Sequence, residues 1–108
     1  MVTRDELSAR LDSTFAQVVD DLKNLVRIPS VSAAAFDQST LKESAGAVAS
    51  LLQSVGLDAR VVSDGGSRPA VIAERRAVAG SPSVLLYAHH GVQPPGDPSL
   101  WHQDDPFE

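Results

Sequence analysis

Apolar residues recur at Leu7, Leu11, Phe15, Val18, Val19, Leu22, Leu25 and Val26, at spacings of three and four that place them on one face of a helix. Thr3-Arg4-Asp5-Glu6 just before them has the form of a capping box, in which Thr3 accepts from the first turn and Glu6 reaches back. Pro29 closes the pattern, because the residue before a proline is pushed out of the α region. A first helix is therefore predicted over Asp5–Arg27, followed by a Ser- and Ala-rich loop over Ser30–Ser39. Thr40-Leu41-Lys42-Glu43 reads as a second capping box, and Leu41, Ala45, Val48, Leu52 and Val55 continue at helical spacing up to Gly56, a residue suited to a left-handed C-cap. A second helix over Leu41–Val55 follows.

The period then changes. Ala59–Ser63 and Pro69–Glu74 read as two short strands around Asp64-Gly65-Gly66-Ser67, which is turn chemistry, so a hairpin is expected. After a loop over Arg75–Pro82, Val84–Ala88 is continuously apolar, the mark of a strand buried on both faces. From Gly91 onward the chain is expected to be irregular. Two helices, a hairpin and a buried strand make the opening of an α/β domain with an incomplete sheet, since a central strand needs neighbours on both sides and helices on both faces.

Composition narrows the class without specifying it. The chain of 108 residues is 43% hydrophobic and 21% charged, which is ordinary for a globular protein. A net charge of −5 with interspersed signs argues against a nucleic-acid surface. With no cysteine, disulfides, thiolate metal ligands and a cysteine nucleophile are excluded, and the expected compartment is the cytoplasm. The polar start over Met1–Glu6 has no apolar core of the signal-peptide type, and no apolar run approaches the roughly 20 residues of a membrane span.

The candidate chemistry sits at the end of the third apolar run, at His89 and His90. Ligands bind beyond the carboxyl ends of strands in open α/β sheets, and histidine is the commonest metal ligand. In extended backbone the two rings point to opposite faces, so at most one of them serves a site. Nothing upstream offers a second ligand at a suitable spacing. His102, Asp97, Asp104, Asp105 and Glu108 lie in the terminal loop and read as solvated residues. Ser30 and Ser32 lack the glycine-flanked turn of a nucleophile elbow, and Gly65-Gly66 lacks the Lys and Ser/Thr of a phosphate loop.

As one string, Leu85-Leu86-Tyr87-Ala88-His89-His90-Gly91-Val92-Gln93-Pro94, with Asp97, Leu100-Trp101 and Asp105-Pro106-Phe107-Glu108, closely resembles a segment of the di-zinc metallopeptidases. That family includes carnosinase-like dipeptidases, carboxypeptidase G, acetylornithine deacetylase and succinyl-diaminopimelate desuccinylase. Ile28-Pro29-Ser30-Val31-Ser32 is similar to the family's segment after its first helix, and Arg68-Pro69 before the second strand fits as well. The resemblance covers essentially the whole chain and is nearest the dipeptidase branch.

It implies that residues 1–108 are the N-terminal portion of a zinc-peptidase catalytic domain. The family hydrolyses peptide or N-acyl amide bonds of small substrates with two zinc ions. His89 matches its first metal-binding histidine and His90 its variable position. Gly91 stands where the family has an aspartate that orients the ligand histidine, a partner whose loss typically costs about 10–100-fold in metal affinity or activity. The family's bridging aspartate, its glutamate base and its remaining ligands lie beyond the segment matching Glu108. The chain alone is therefore expected to be inactive, to stay inactive with Gly91→Asp, and to self-associate through uncovered apolar surface. The alternative is a non-catalytic interaction module, or a degenerate paralogue that pairs with another subunit, its sheet completed by a partner strand.

Overall fold

A computed structural model of the chain describes residues 1–66 and 68–108. It is a small mixed α/β fold of two helices and a two-stranded antiparallel sheet. Helix α1 spans Arg4–Val26 and starts as its sequence predicts: Thr3 is the N-cap, its hydroxyl accepting from the Glu6 backbone (3.2 Å) while the Glu6 carboxylate accepts from the Thr3 backbone (2.7 Å). The amphipathic face is formed but not covered. Leu7, Leu11, Phe15, Val18, Leu22 and Val26 are all exposed, and no residue of α1 is buried.

Helix α2 spans Ser39–Ser54, and its start corrects the second predicted capping box. Thr40 does not cap the helix. Its hydroxyl donates to the carbonyls of Asp37 (2.7 Å) and Pro29 (3.1 Å). The N-cap is Gln38, which makes no side-chain capping bond, and the Asp37 carboxylate before it accepts from both the backbone (2.9 Å) and the hydroxyl (2.7 Å) of Ser39. The helix begins two residues before the predicted Leu41. The Gly56 cap is as expected: with φ +85°, its N–H reaches the Gln53 carbonyl, and the Leu57 N–H reaches that of Leu52. Those two bonds make a Schellman motif.

Strands β1 (Asp58–Val62) and β2 (Ala70–Glu74) pair antiparallel from Asp58↔Glu74 to Val62↔Ala70. The hairpin is therefore as read from the sequence, with Gly65 and Gly66 at positive φ in its turn; Ser67, assigned to that turn, lies outside the described residues. Helix α2 lies on the hairpin. Between them sits a small core: Leu41, Ser44, Ala45 and Ala49 of α2, Ala59 of β1, and Ser30 and Val31 of the preceding loop.

The third predicted strand is the main correction. Residues 83–91 form no strand, and Val84, Leu85, Leu86 and Tyr87 are 81–93% exposed. A strand apolar on both sides needs partners on both sides. Among the described residues this segment gains one parallel bridge, Val31↔Val92, beyond its C-terminal end. The consequence shows in overall size. The accessible surface is 8925 Å², against about 5,800 Å² for a compact protein of this mass. The radius of gyration is 17.0 Å, against about 13 Å for a compact domain of this length.

Candidate functional site

The unpaired edge of β2 and the segment over 85–93 face each other across a cavity of about 670 Å³. Val71 and Ala73 border one side, Leu86 and Ala88 the other, and His89 and His90 stand where the apolar run ends. The two histidines differ in exposure and in partners. His89 is exposed, and its ring makes no hydrogen bond among the described residues. His90 is half-buried and held at both nitrogens: Nδ1 lies 3.0 Å from the Ser44 hydroxyl, and Nε2 lies 3.1 Å from the Pro69 carbonyl.

A serine hydroxyl against an imidazole nitrogen has the outline of a nucleophile and its base. Burial excludes that use. Ser44 is 0% exposed, so no substrate reaches it. Its hydroxyl also lies 3.2 Å from the carbonyl of His90 itself.

Gly91 has a local explanation that the sequence could not supply. A Cβ at this position would sit 3.0 Å from the Ser30 carbonyl oxygen. The same carbonyl accepts from the Val92 backbone at 3.2 Å, so the loop after α1 and the segment after His90 run in near contact. Glycine is the residue that permits such an approach. Ser30 is fully buried there, and its hydroxyl has no hydrogen-bond partner among the described residues.

The other candidates fall elsewhere. Asp97 caps a short 3₁₀ turn over Pro98–Leu100, and accepting from Ser99 holds its carboxyl below the ordinary aspartate range. Asp105 accepts from the Phe107 backbone, and Glu108 lies 3.6 Å from Arg27 in an exposed ion pair. His102 and Asp104 are exposed in the same loop. Among the described residues no three His, Asp or Glu side chains come together as a metal site. Structural zinc takes four protein ligands and catalytic zinc three. With His90 engaged at both nitrogens, His89 is the one free imidazole at the cavity, and the residues present do not make a zinc site by themselves.

Sequence reasoning missed Ser44, and it named Arg68 only as part of the resemblance and not for its contact. Ser44 carried a signal: it is a polar residue between Leu41, Ala45 and Val48 on the apolar face of a predicted helix. Arg68 carried none of that kind. Its guanidinium donates to the Ser32 carbonyl (2.8 Å) and ties the start of β2 to the loop after α1. No helix among the described residues is long and apolar enough to cross a membrane. Comparison of the chain with protein-family models, with curated proteins and with solved structures finds no match in any of the three.

Proposed function

We propose that these 108 residues serve as the leading portion of the catalytic domain of a di-zinc metallopeptidase that acts on small peptides or N-acyl amino acids. In this reading they contribute a single metal ligand, His89. The observation that supports it is the division of labour between the two histidines: His90 is turned inward and bonded at both nitrogens, while His89 stands free beside the cavity. A lone imidazole does not hold zinc tightly. The chain alone is therefore inactive, and the hydrolytic centre of the parent enzyme draws its other ligands from residues outside this segment.

The test is a zinc titration of the chain followed by NMR, beside an assay of dipeptide hydrolysis. The reading expects weak zinc-dependent changes centred on the His89 ring, their loss in His89→Ala, and no turnover. Stoichiometric, tightly held zinc with turnover, or a zinc response confined to His102, would overturn it.

A second reading, an interaction module completed by another subunit, is favoured by the uncovered face of α1 and the exposed run Val84–Tyr87. Apolar surface on that scale marks a contact with another polypeptide. Under this reading His89→Ala leaves every property of the chain unchanged, whereas a partner subunit lowers its exposed surface.

A further inference from the structure

We infer that His90 is a positioning residue for His89: its ring, fixed in the tautomer with the proton on Nε2, staples the segment after the third apolar run to α2 and to the start of β2, and so sets the side on which His89 emerges. This rests on the metal-ligand reading of His89 for its purpose, but not for its geometry.

A backbone carbonyl only accepts, so the contact of 3.1 Å between Nε2 and the Pro69 carbonyl requires the proton on Nε2. In the neutral ring Nδ1 is then an acceptor, and its partner at 3.0 Å is the Ser44 hydroxyl. The Pro69 contact fixes the Nε2 end of the ring, while the Ser44 hydroxyl lies within reach of both Nδ1 (3.0 Å) and the His90 carbonyl (3.2 Å). One ring thus joins three parts of the chain, from positions 46 and 21 residues away in sequence. Ser44 is suited to its part: it is fully buried on the face of α2 that carries Leu41 and Ala45, and both of its acceptors belong to His90.

The staple matters because little else holds this segment. Residues 83–91 have no strand partner, and the apolar side chains before His89 are exposed. Anchorage comes from His90 and, two residues on, from the Val92 N–H bonded to the Ser30 carbonyl. The His90 ring is drawn inward by its two partners, and His89 beside it is exposed. Without the staple, the segment loses its reason to present one histidine rather than the other.

The test reads the two rings separately in the 108-residue chain. Nitrogen-15 NMR reports the tautomer of each histidine. Carbethoxylation by diethyl pyrocarbonate, followed residue by residue by mass spectrometry, reports whether each ring nitrogen is free. The expectation is an Nε2–H tautomer for His90 and slower modification of His90 than of His89. Ser44→Ala is expected to speed His90 modification about fivefold, the effect of one lost hydrogen bond, and Ser44→Thr, which keeps the hydroxyl, to restore the slow rate. An Nδ1–H tautomer, equal rates at the two rings, or an unchanged His90 rate in a folded Ser44→Ala chain would overturn the inference. The wild-type tautomer and rate ratio decide the matter even where a variant does not fold. Neither readout involves metal or hydrolysis, so the staple and the metallopeptidase reading stand or fall separately.

Discussion

Gly91→Asp adds the carboxylate that the proposed metallopeptidase reading expects at this position, and the structure predicts what it does. The new Cβ would lie 3.0 Å from the Ser30 carbonyl oxygen, a backbone atom that would have to give by a few tenths of an ångström. The carboxylate would add negative charge beside that partly negative oxygen. Overfilling a tight site costs about 1–3 kcal/mol. The docking at risk is small: the bonds of His90 to Ser44 and Pro69, and of Val92 to Ser30, contribute about 1 kcal/mol each. Tenfold in an equilibrium is about 1.4 kcal/mol. The ratio of docked to undocked segment should thus fall about 5- to 150-fold.

Amide hydrogen exchange measures this directly. The Val92 N–H should lose protection by that factor, while the amides within α2 keep theirs. Gly91→Ala separates the causes, since it adds the Cβ without the charge and should show most of the loss. Unchanged protection of Val92 in Gly91→Asp would refute the close-approach account of this glycine.

Other outcomes follow from the same contacts. Thr3→Ala removes the α1 cap and should cost about 1 kcal/mol of helix stability, read as fraying of the first turn by NMR or circular dichroism. The Glu6 carboxyl is held below its ordinary value by the backbone and hydroxyl of Thr3. Its contribution is therefore present above the unfolded carboxylate pKa and is lost as pH falls through the lowered one; a Glu6 carbon shift that titrates at the ordinary value would contradict the cap. Phe15 and Leu22 are each 59% exposed on α1. If that face drives self-association, Phe15→Lys with Leu22→Lys should weaken it by about 2 kcal/mol, roughly 30-fold, in sedimentation equilibrium. A wild-type chain that stays monomeric at all concentrations would contradict the prediction.

Local order was legible where neighbouring residues decide it. The capping box at Thr3, the run of α1 to the edge of Pro29, the Gly56 cap and the hairpin around Gly65-Gly66 each depend on residues within a few positions of one another. The start of α2 was misplaced for the converse reason. The Thr40 hydroxyl is engaged instead with the Pro29 and Asp37 carbonyls, the first of them eleven residues away, and the helix starts after Gln38.

Uncovered apolar surface was expected from the incomplete sheet and is observed, but which residues form the small core was not legible. The apolar stripe of α1 and the run Val84–Ala88 state that these residues are suited to a core, but not that this chain supplies one. A stripe becomes buried only when another surface closes over it, and that surface is a matter of distant contacts. The roles of Ser44, Ser30 and Gly91 have the same origin. Each depends on segments 46 to 61 residues apart coming into contact. Composition and spacing therefore established the helices, the turns and the pair of candidate imidazoles. Which imidazole stays free, why residue 91 has no side chain, and how much apolar surface remains open were decided only by long-range docking, because hydrogen-bond partners and steric neighbours are defined in space and not along the chain.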